Sequence, residues 1–226
     1  MYSSSRNSLK LAAVLLCGLF AFASASAQEG EGQPEQKTRK AQAVSKAVYD
    51  KIQKAQELVD AKEYQAALRA LNSLYNPEKL SEYEQANVLN YMGFVYYNMD
   101  DVQNAIRTYV KLLAIPGLEP QLAKQTTYTL AQLYTMEEQY SNALSTLDKW
   151  FVLETNPPPE AFILKAQNLY QVQRYQEMVG PIENAMRVAR ERDKPVKEDW
   201  YVLLNFAYFQ QEDYRKVRDI QKTLLT

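Results

Sequence analysis

"GFVYYNMDDVQNAIRTY", residues 93–109, holds the spacing that decides the fold. Gly93 stands twelve positions before Ala105, with Tyr96 and Tyr109 placed around the pair. Glycine inside a helix costs up to about 1 kcal/mol relative to alanine, so its presence in a helical stretch argues for a close contact. Two packed helices approach to about 8–10 Å. Small residues at Gly93 and Ala105 leave room for that approach, and Tyr96 and Tyr109 are expected to fill the space on either side.

The spacing recurs along the chain. "AQELVDAKEYQAALRAL" repeats it with Ala55, Leu58, Tyr64, Ala67 and Leu71; "AQLYTMEEQYSNALSTL" with Ala131, Tyr134, Tyr140, Ala143 and Leu147. "AQNLYQVQRYQEMVGPI" follows with Ala166, Leu169, Tyr175, Met178 and Ile182, and "NFAYFQQEDYRKVRDIQ" with Asn205, Tyr208, Tyr214 and Val217. The anchors at 55, 93, 131, 166 and 205 lie 38, 38, 35 and 39 residues apart. Helical periodicity runs through the segments, and prolines gather between them at Pro77, Pro116, Pro120, Pro157 to Pro159 and Pro195. The chain therefore reads as all-α.

This pattern resembles the tetratricopeptide repeat, a helix–turn–helix unit of about 34 residues. The resemblance covers residues 44 to 226 and implies a right-handed solenoid of about five repeats, near 43–76, 86–119, 124–157, 159–192 and 198–226. Met178 and Val217 stand where alanine is usual, and Asn205 replaces a small residue, so copies four and five are expected to be less regular. Pro181 is tolerable only within the first turn of its helix, where amides lack intrahelical partners. The last copy ends at "QKTLLT" without an evident polar capping helix, which makes C-terminal truncation an expectation.

Ahead of the array, Arg6 and Lys10 precede the apolar run "LAAVLLCGLFAF" (11–22), and small residues follow to Ala27. These features make a secretory signal peptide cleaved after Ala27 and place the mature protein in the periplasm. Residues 28–42 are polar and charged, with nothing to bury, and read as a disordered leader. Cys17 is the only cysteine, so its removal leaves no thiol or disulfide chemistry. Leu16 before it argues against a lipid-attachment site.

Catalytic chemistry is hard to build from these residues. The chain has no histidine and a formal net charge of −1, which removes a common metal ligand and general base and gives no pull toward nucleic acid. Nucleophile-elbow, phosphate-loop, dinucleotide and zinc-helix motifs are lacking. Acidic residues such as Glu78, Glu82, Glu84, Glu137 and Glu138 read as solvated helix faces. "ARERDKPVK" interleaves its basic residues with Glu191 and Asp193 and reads as an exposed loop. No enzyme activity, metal or cofactor is expected.

A binding surface follows from the repeat resemblance instead. Stacked hairpins line a concave face with their first helices, and positions three before, one after, and four and five after each anchor point into it. That selects Asn90, Phe94, Tyr97 and Asn98; then Tyr128, Gln132 and Met136; then Ile163, Gln167, Tyr170 and Gln171; then Val202, Phe206, Phe209 and Gln210. Amides would satisfy the backbone of an extended peptide, and aromatics would supply contact area. The competing expectation is that these aromatics pack on neighbouring repeats.

Three longer stretches, "KTRKAQAVSKAVYDKIQKAQEL", "YTLAQLYTMEEQYSNALSTLDKWF" and "KPVKEDWYVLLNFAYFQQEDYRKV", reach beyond the generic signature. They resemble periplasmic tetratricopeptide proteins that accompany TonB–ExbB–ExbD energy-transduction systems in Gram-negative bacteria. The resemblance implies a non-catalytic accessory to outer-membrane uptake of nutrients such as iron chelates. A general envelope-assembly scaffold binding peptidoglycan or outer-membrane machinery is the alternative that the repeat alone supports.

Overall fold

The computed structural model describes residues 44–224; the signal peptide read at 1–27 and the leader at 28–42 lie outside them. Among the described residues there are ten α-helices and no strand. They are α1 (Lys46–Asp60), α2 (Tyr64–Leu74), α3 (Glu82–Asn98), α4 (Val102–Leu113), α5 (Pro120–Met136), α6 (Tyr140–Leu153), α7 (Pro159–Gln171), α8 (Val179–Glu191), α9 (Glu198–Gln210) and α10 (Tyr214–Leu224). A single 3₁₀ turn, Tyr175–Met178, precedes α8. Each odd-numbered helix packs most extensively on the helix that follows it, and each hairpin then packs on the next. The result is an all-α helical solenoid of five hairpins.

Local chemistry sets the helix starts. Ser81 opens α3 with a capping box: its Oγ accepts from the Glu84 amide, and Glu84 Oε2 accepts from the Ser81 amide at 3.0 Å. Asp101 caps α4 by accepting from the Asn104 amide. Glu119 accepts from the Gln121 and Leu122 amides ahead of Pro120, the first residue of α5. These caps start α3 and α5 a full turn ahead of repeat boundaries placed at 86 and 124. Pro181 is the third residue of α8, within its first turn, where a missing amide costs no helical hydrogen bond. The 3₁₀ turn before it is the local adjustment that brings this about.

The turn inside every hairpin has one geometry. Lys62, Asp100, Glu138, Gln173 and Glu212 all adopt positive φ, between 57° and 62°. Each lies seven residues after its anchor. The following amide reaches back five residues, as in Glu63 N to Leu58 O (2.7 Å), Asp101 N to Tyr96 O (3.0 Å) and Gln139 N to Tyr134 O (2.8 Å). This is the Schellman arrangement, which glycine usually serves. None of the five is glycine, so side chains that strain in the left-handed region hold every hairpin turn.

The small anchors are all buried. Ala55 is 1% exposed, and Ala67, Ala105, Ala131, Ala143 and Ala166 are 0% exposed; Gly93 is buried in α3. The close contact expected at Gly93 is made by a side chain. The room at Gly93 is taken by the Tyr109 ring: a Cβ at Gly93 would lie 2.6 Å from Tyr109 Cε1 and 2.7 Å from Cζ. Tyr109 is 3% exposed, while Tyr96 is half-buried. The other hairpins explain the choice of glycine. Ala55, Ala131 and Ala166 share their hairpins with Leu71, Leu147 and Ile182 sixteen residues on, each 0% exposed. Where that partner is aromatic, the anchor loses its methyl group. Burying each such side chain contributes about 1.5–3 kcal/mol.

Copies four and five are irregular, and differently so. Met178 is completely buried in the 3₁₀ turn, so copy four is well packed despite replacing alanine. In copy five the position corresponding to Tyr109 is Gln221, which is exposed, and Arg218 is exposed where Leu68, Ile106 and Leu144 are buried. α10 buries only Val217 and Ile220. α10 presents Arg215, Lys216, Arg218 and Lys222 to solvent.

Candidate functional site

Helical spacing gathers the residues singled out on the first helices. Ile163, Gln167, Tyr170 and Gln171 fall at i, i+4, i+7 and i+8 of α7, and Val202, Phe206, Phe209 and Gln210 repeat that pattern on α9. The spacing puts each set on one helix face. Ring contacts join the two faces. Tyr170 meets Phe206 edge-on at 5.1 Å, and Tyr175 of the 3₁₀ turn lies 5.9 Å from Tyr170 and 5.3 Å from Phe206. Edge-to-face geometry at these distances is favourable.

Exposure separates this patch from the rest. Tyr170 is 41% exposed, Val202 53% and Phe209 54%, and Gln171 and Gln210 are exposed beside them. Tyr214, at 60% exposure, stacks edge-on against Phe209 at 6.0 Å. Gln167 and Phe206 are half-buried. No described residue hydrogen-bonds the side-chain amides of Gln167, Gln171 or Gln210. Charges stay at the margins. Glu160 and Asp199 lie one turn ahead of Ile163 and Val202, and Lys197 Nζ is 3.6 Å from Glu160. Arg174 is bound to Glu177 beyond the other end.

Other residues selected from the sequence sit elsewhere or deeper. Ile163 is 8% exposed and belongs to the core, which corrects its placement on the open face. Tyr128 is half-buried under Trp150, with ring centroids 4.5 Å apart, in a row that continues through Phe151 to Phe162. Burial pushes its hydroxyl up to about 12, with a smaller push from Glu160. Tyr128 is thus a packing residue between the third and fourth hairpins. Phe94 and Tyr97 are half-buried against the N-terminal core. Asn98 donates to Phe94 O at 2.8 Å, and Asn90 and Gln132 are half-buried. Met136 is 50% exposed.

Packing between hairpins accounts for these differences. In the middle of the array, Thr135 and Asn168 meet across α5 and α7, with Asn168 Nδ2 to Thr135 Oγ1 at 2.9 Å and to Leu164 O at 2.8 Å. Asn168 is completely buried. Tyr170 is the register equivalent of Thr135 one hairpin later. Tyr170 instead stands against Phe206 and is 41% exposed. Tyr175 and Tyr214, which the sequence marks only as repeat positions, also belong to the ring cluster, and the sequence feature beside Tyr175 is Pro181, which falls in the first turn of α8 after the 3₁₀ turn.

Among the described residues no three acidic, histidine or cysteine side chains are grouped to hold a metal ion, and no helix is long and apolar enough to cross a membrane. The cluster offers ring faces, ring edges and amides, which is the chemistry of recognition.

No protein-family model matches the chain, and no curated protein matches it. Solved structures do. A MamA RS-1 ArsTM double mutant superposes with a TM-score of 0.62 at 16% identity, covering 81% of this chain and 95% of that one. MamA 41-end from Desulfovibrio magneticus RS-1 gives 0.60 at 16% identity, covering 81% and 96%. A kinesin light chain with nearly identical TPR-like repeats from Podosopora anserina gives 0.58 at 14%, covering 80% and 95%. At these identities the likeness is one of fold, and the fold is of the tetratricopeptide type.

Proposed function

We propose that this protein is a non-catalytic periplasmic adaptor that holds a segment of a partner protein on its first-helix face. The observation that carries the reading is the neutral cluster of exposed Tyr170 and Phe209 about the half-buried Phe206, with the amides of Gln171 and Gln210. Apolar surface left open between polar groups marks interaction sites, and aromatic anchors carry a large share of binding energy. The finer assignment is an accessory to a TonB–ExbB–ExbD system serving outer-membrane nutrient uptake. It rests on the resemblance of residues 37–58, 128–151 and 194–217 and on the signal-peptide pattern ending at Ala27. A general envelope-assembly scaffold is the competing role.

The test is crosslinking in intact cells followed by purification of the tagged protein and identification of what travels with it. Recovery of ExbB, ExbD or TonB is the expected outcome. Recovery of assembly factors without any of those three transfers the protein to the scaffold role.

A further inference from the structure

We infer that the outer row of α10, Arg215, Arg218 and Lys222, docks an acidic helix of a partner protein, laid antiparallel with its carboxylates spaced i, i+4 and i+7. The surface lies on a second helix, and the inference does not depend on the adaptor reading at α7 and α9.

Register defines the row. Arg215, Arg218 and Lys222 lie ten, thirteen and seventeen residues after the anchor Asn205. Earlier hairpins use the same positions to meet the first helix of the next hairpin. Gln103, ten after Gly93, donates to Glu137. Asp148, seventeen after Ala131, accepts from Lys165 Nζ at 2.6 Å. Glu183, seventeen after Ala166, accepts from the Tyr208 hydroxyl at 2.8 Å. Lys165, Tyr208 and Glu137 stand one before, three after and six after their own anchors. Those offsets make one i, i+4, i+7 stripe of a helix. The early end of the row meets the late end of the stripe, so the two helices run antiparallel.

Charge then sets α10 apart. In the four preceding hairpins the row reads Gln-Leu-Asn, Gln-Ile-Val, Ser-Leu-Asp and Gln-Val-Glu, without a cation. In α10 all three positions are cationic and exposed. Asp219 is the one carboxylate within α10, 4.0 Å from Arg218 Nε, and both side chains remain more than half exposed. No described carboxylate pairs with Arg215 or Lys222. Lys216 is turned aside over the Tyr208 ring, 5.6 Å from its centroid.

A helix seated on this row meets a guanidinium at Arg218 and an amide at Gln221, where other hairpins bury Ile106 with Tyr109 or Leu144 with Leu147. Covering a cation costs free energy unless a carboxylate is supplied. Arginine forks take carboxylates in bidentate geometry, so the occupant that fits is acidic along the facing stripe. A second copy of this chain does not fit. Its α1, entering in the same register, would bring Lys54, Leu58 and Ala61 onto the row and set lysine against Lys222.

The experiment is a two-dimensional NMR titration of the isotope-labelled mature protein, which reads weak binding and its location together. The probe is a blocked alanine-glutamine peptide of about twenty residues, long enough to hold a helix in water, with glutamates at i, i+4 and i+7. Its controls carry the same three glutamates spread around the helix, or lysines at the three positions. Saturable shifts confined to α10 are expected at low salt, with tighter binding of the in-row glutamate peptide than of either control. Arg218→Glu combined with Lys222→Glu should weaken that binding at least about tenfold and create binding of the lysine peptide. Should the double variant lose its cooperative thermal transition, Lys222→Glu alone, at an exposed position, is read in its place. Absence of saturable shifts, shifts centred outside α10, equal binding of in-row and spread glutamates, or indifference to charge reversal overturns the inference. So does binding of phosphatidylglycerol vesicles through the same three side chains without binding of the peptide, which would make the row a membrane contact.

Discussion

Replacing Gly93 with alanine adds one methyl group beneath the Tyr109 ring. The new carbon would lie 2.6 Å from Cε1 and 2.7 Å from Cζ, whereas carbon atoms rest at about 3.5–4.0 Å. The ring would have to retreat by about 1 Å from a site where it is 3% exposed. Overpacking of this kind costs about 1–3 kcal/mol. Alanine returns up to about 1 kcal/mol through helix propensity, which, returned in full, leaves a net loss of about 0–2 kcal/mol. A double-mutant cycle isolates the cause. With Tyr109→Leu in place the hairpin acquires the alanine–leucine pairing seen at Ala55 with Leu71 and Ala131 with Leu147. In that background Gly93→Ala should be neutral or stabilising by up to about 1 kcal/mol. The assay is urea denaturation followed by far-UV circular dichroism for the wild type, both single variants and the double variant. An effect of Gly93→Ala that is the same in both backgrounds would refute the ring-accommodation reasoning.

Further perturbations address the turns, the ends and the polar interior. Glu138→Gly relieves a left-handed residue at φ 58° and should stabilise by about 0.5–1 kcal/mol in the same denaturation assay, whereas Glu138→Ala should give no such gain. The Glu84 carboxylate is held down to about 2 by hydrogen bonds from the Ser45 side chain and backbone, with those from Ser81 adding to them against the opposing effect of burial. A lowered carboxylate contributes stability in full above its ordinary value of 4.5 and loses it as pH falls toward 2. Wild type should therefore weaken over that window by about 1–2 kcal/mol after solvent screening, and Glu84→Gln should flatten that part of a stability–pH profile. Asn205 Oδ1 is buried with no hydrogen-bond partner among the described residues, so Asn205→Ala, the anchor residue of three other copies, should raise the thermal midpoint by the equivalent of about 1 kcal/mol. Asn168→Ala should do the reverse, because it removes a buried amide whose Nδ2 donates to both Thr135 Oγ1 and Leu164 O.

The fold was legible because its signal is redundant. Five spaced anchors repeat one twelve-residue interval, small-to-small in the first three copies, and no single local irregularity can mask the set. Gly93 also announced a close contact, but the twelve-residue interval drew attention to Ala105. The ring sixteen residues on is visible only when the anchors and their large partners are compared across hairpins. The left-handed turns were hidden for a different reason: Lys62, Asp100, Glu138, Gln173 and Glu212 carry none of the glycine chemistry that such turns advertise. Binding positions were legible as helix faces but not as exposures. Whether Tyr128 or Tyr170 reaches solvent depends on what is placed against it, Trp150 of its own hairpin in one case and Phe206 of the next hairpin in the other, and that is set by tertiary packing.

The measurement that bears most directly on the adaptor reading is site-specific photocrosslinking in living cells, with the photoreactive residue placed in turn at Gln171 and Gln210 on the first-helix face and at Arg107 and Lys149 on the second helices. All four positions are exposed, so accessibility does not bias the comparison. Crosslinks to one of ExbB, ExbD or TonB from Gln171 and Gln210, with none from Arg107 or Lys149, are expected. Crosslinks to those proteins from the second-helix positions alone would contradict the assignment of the binding face.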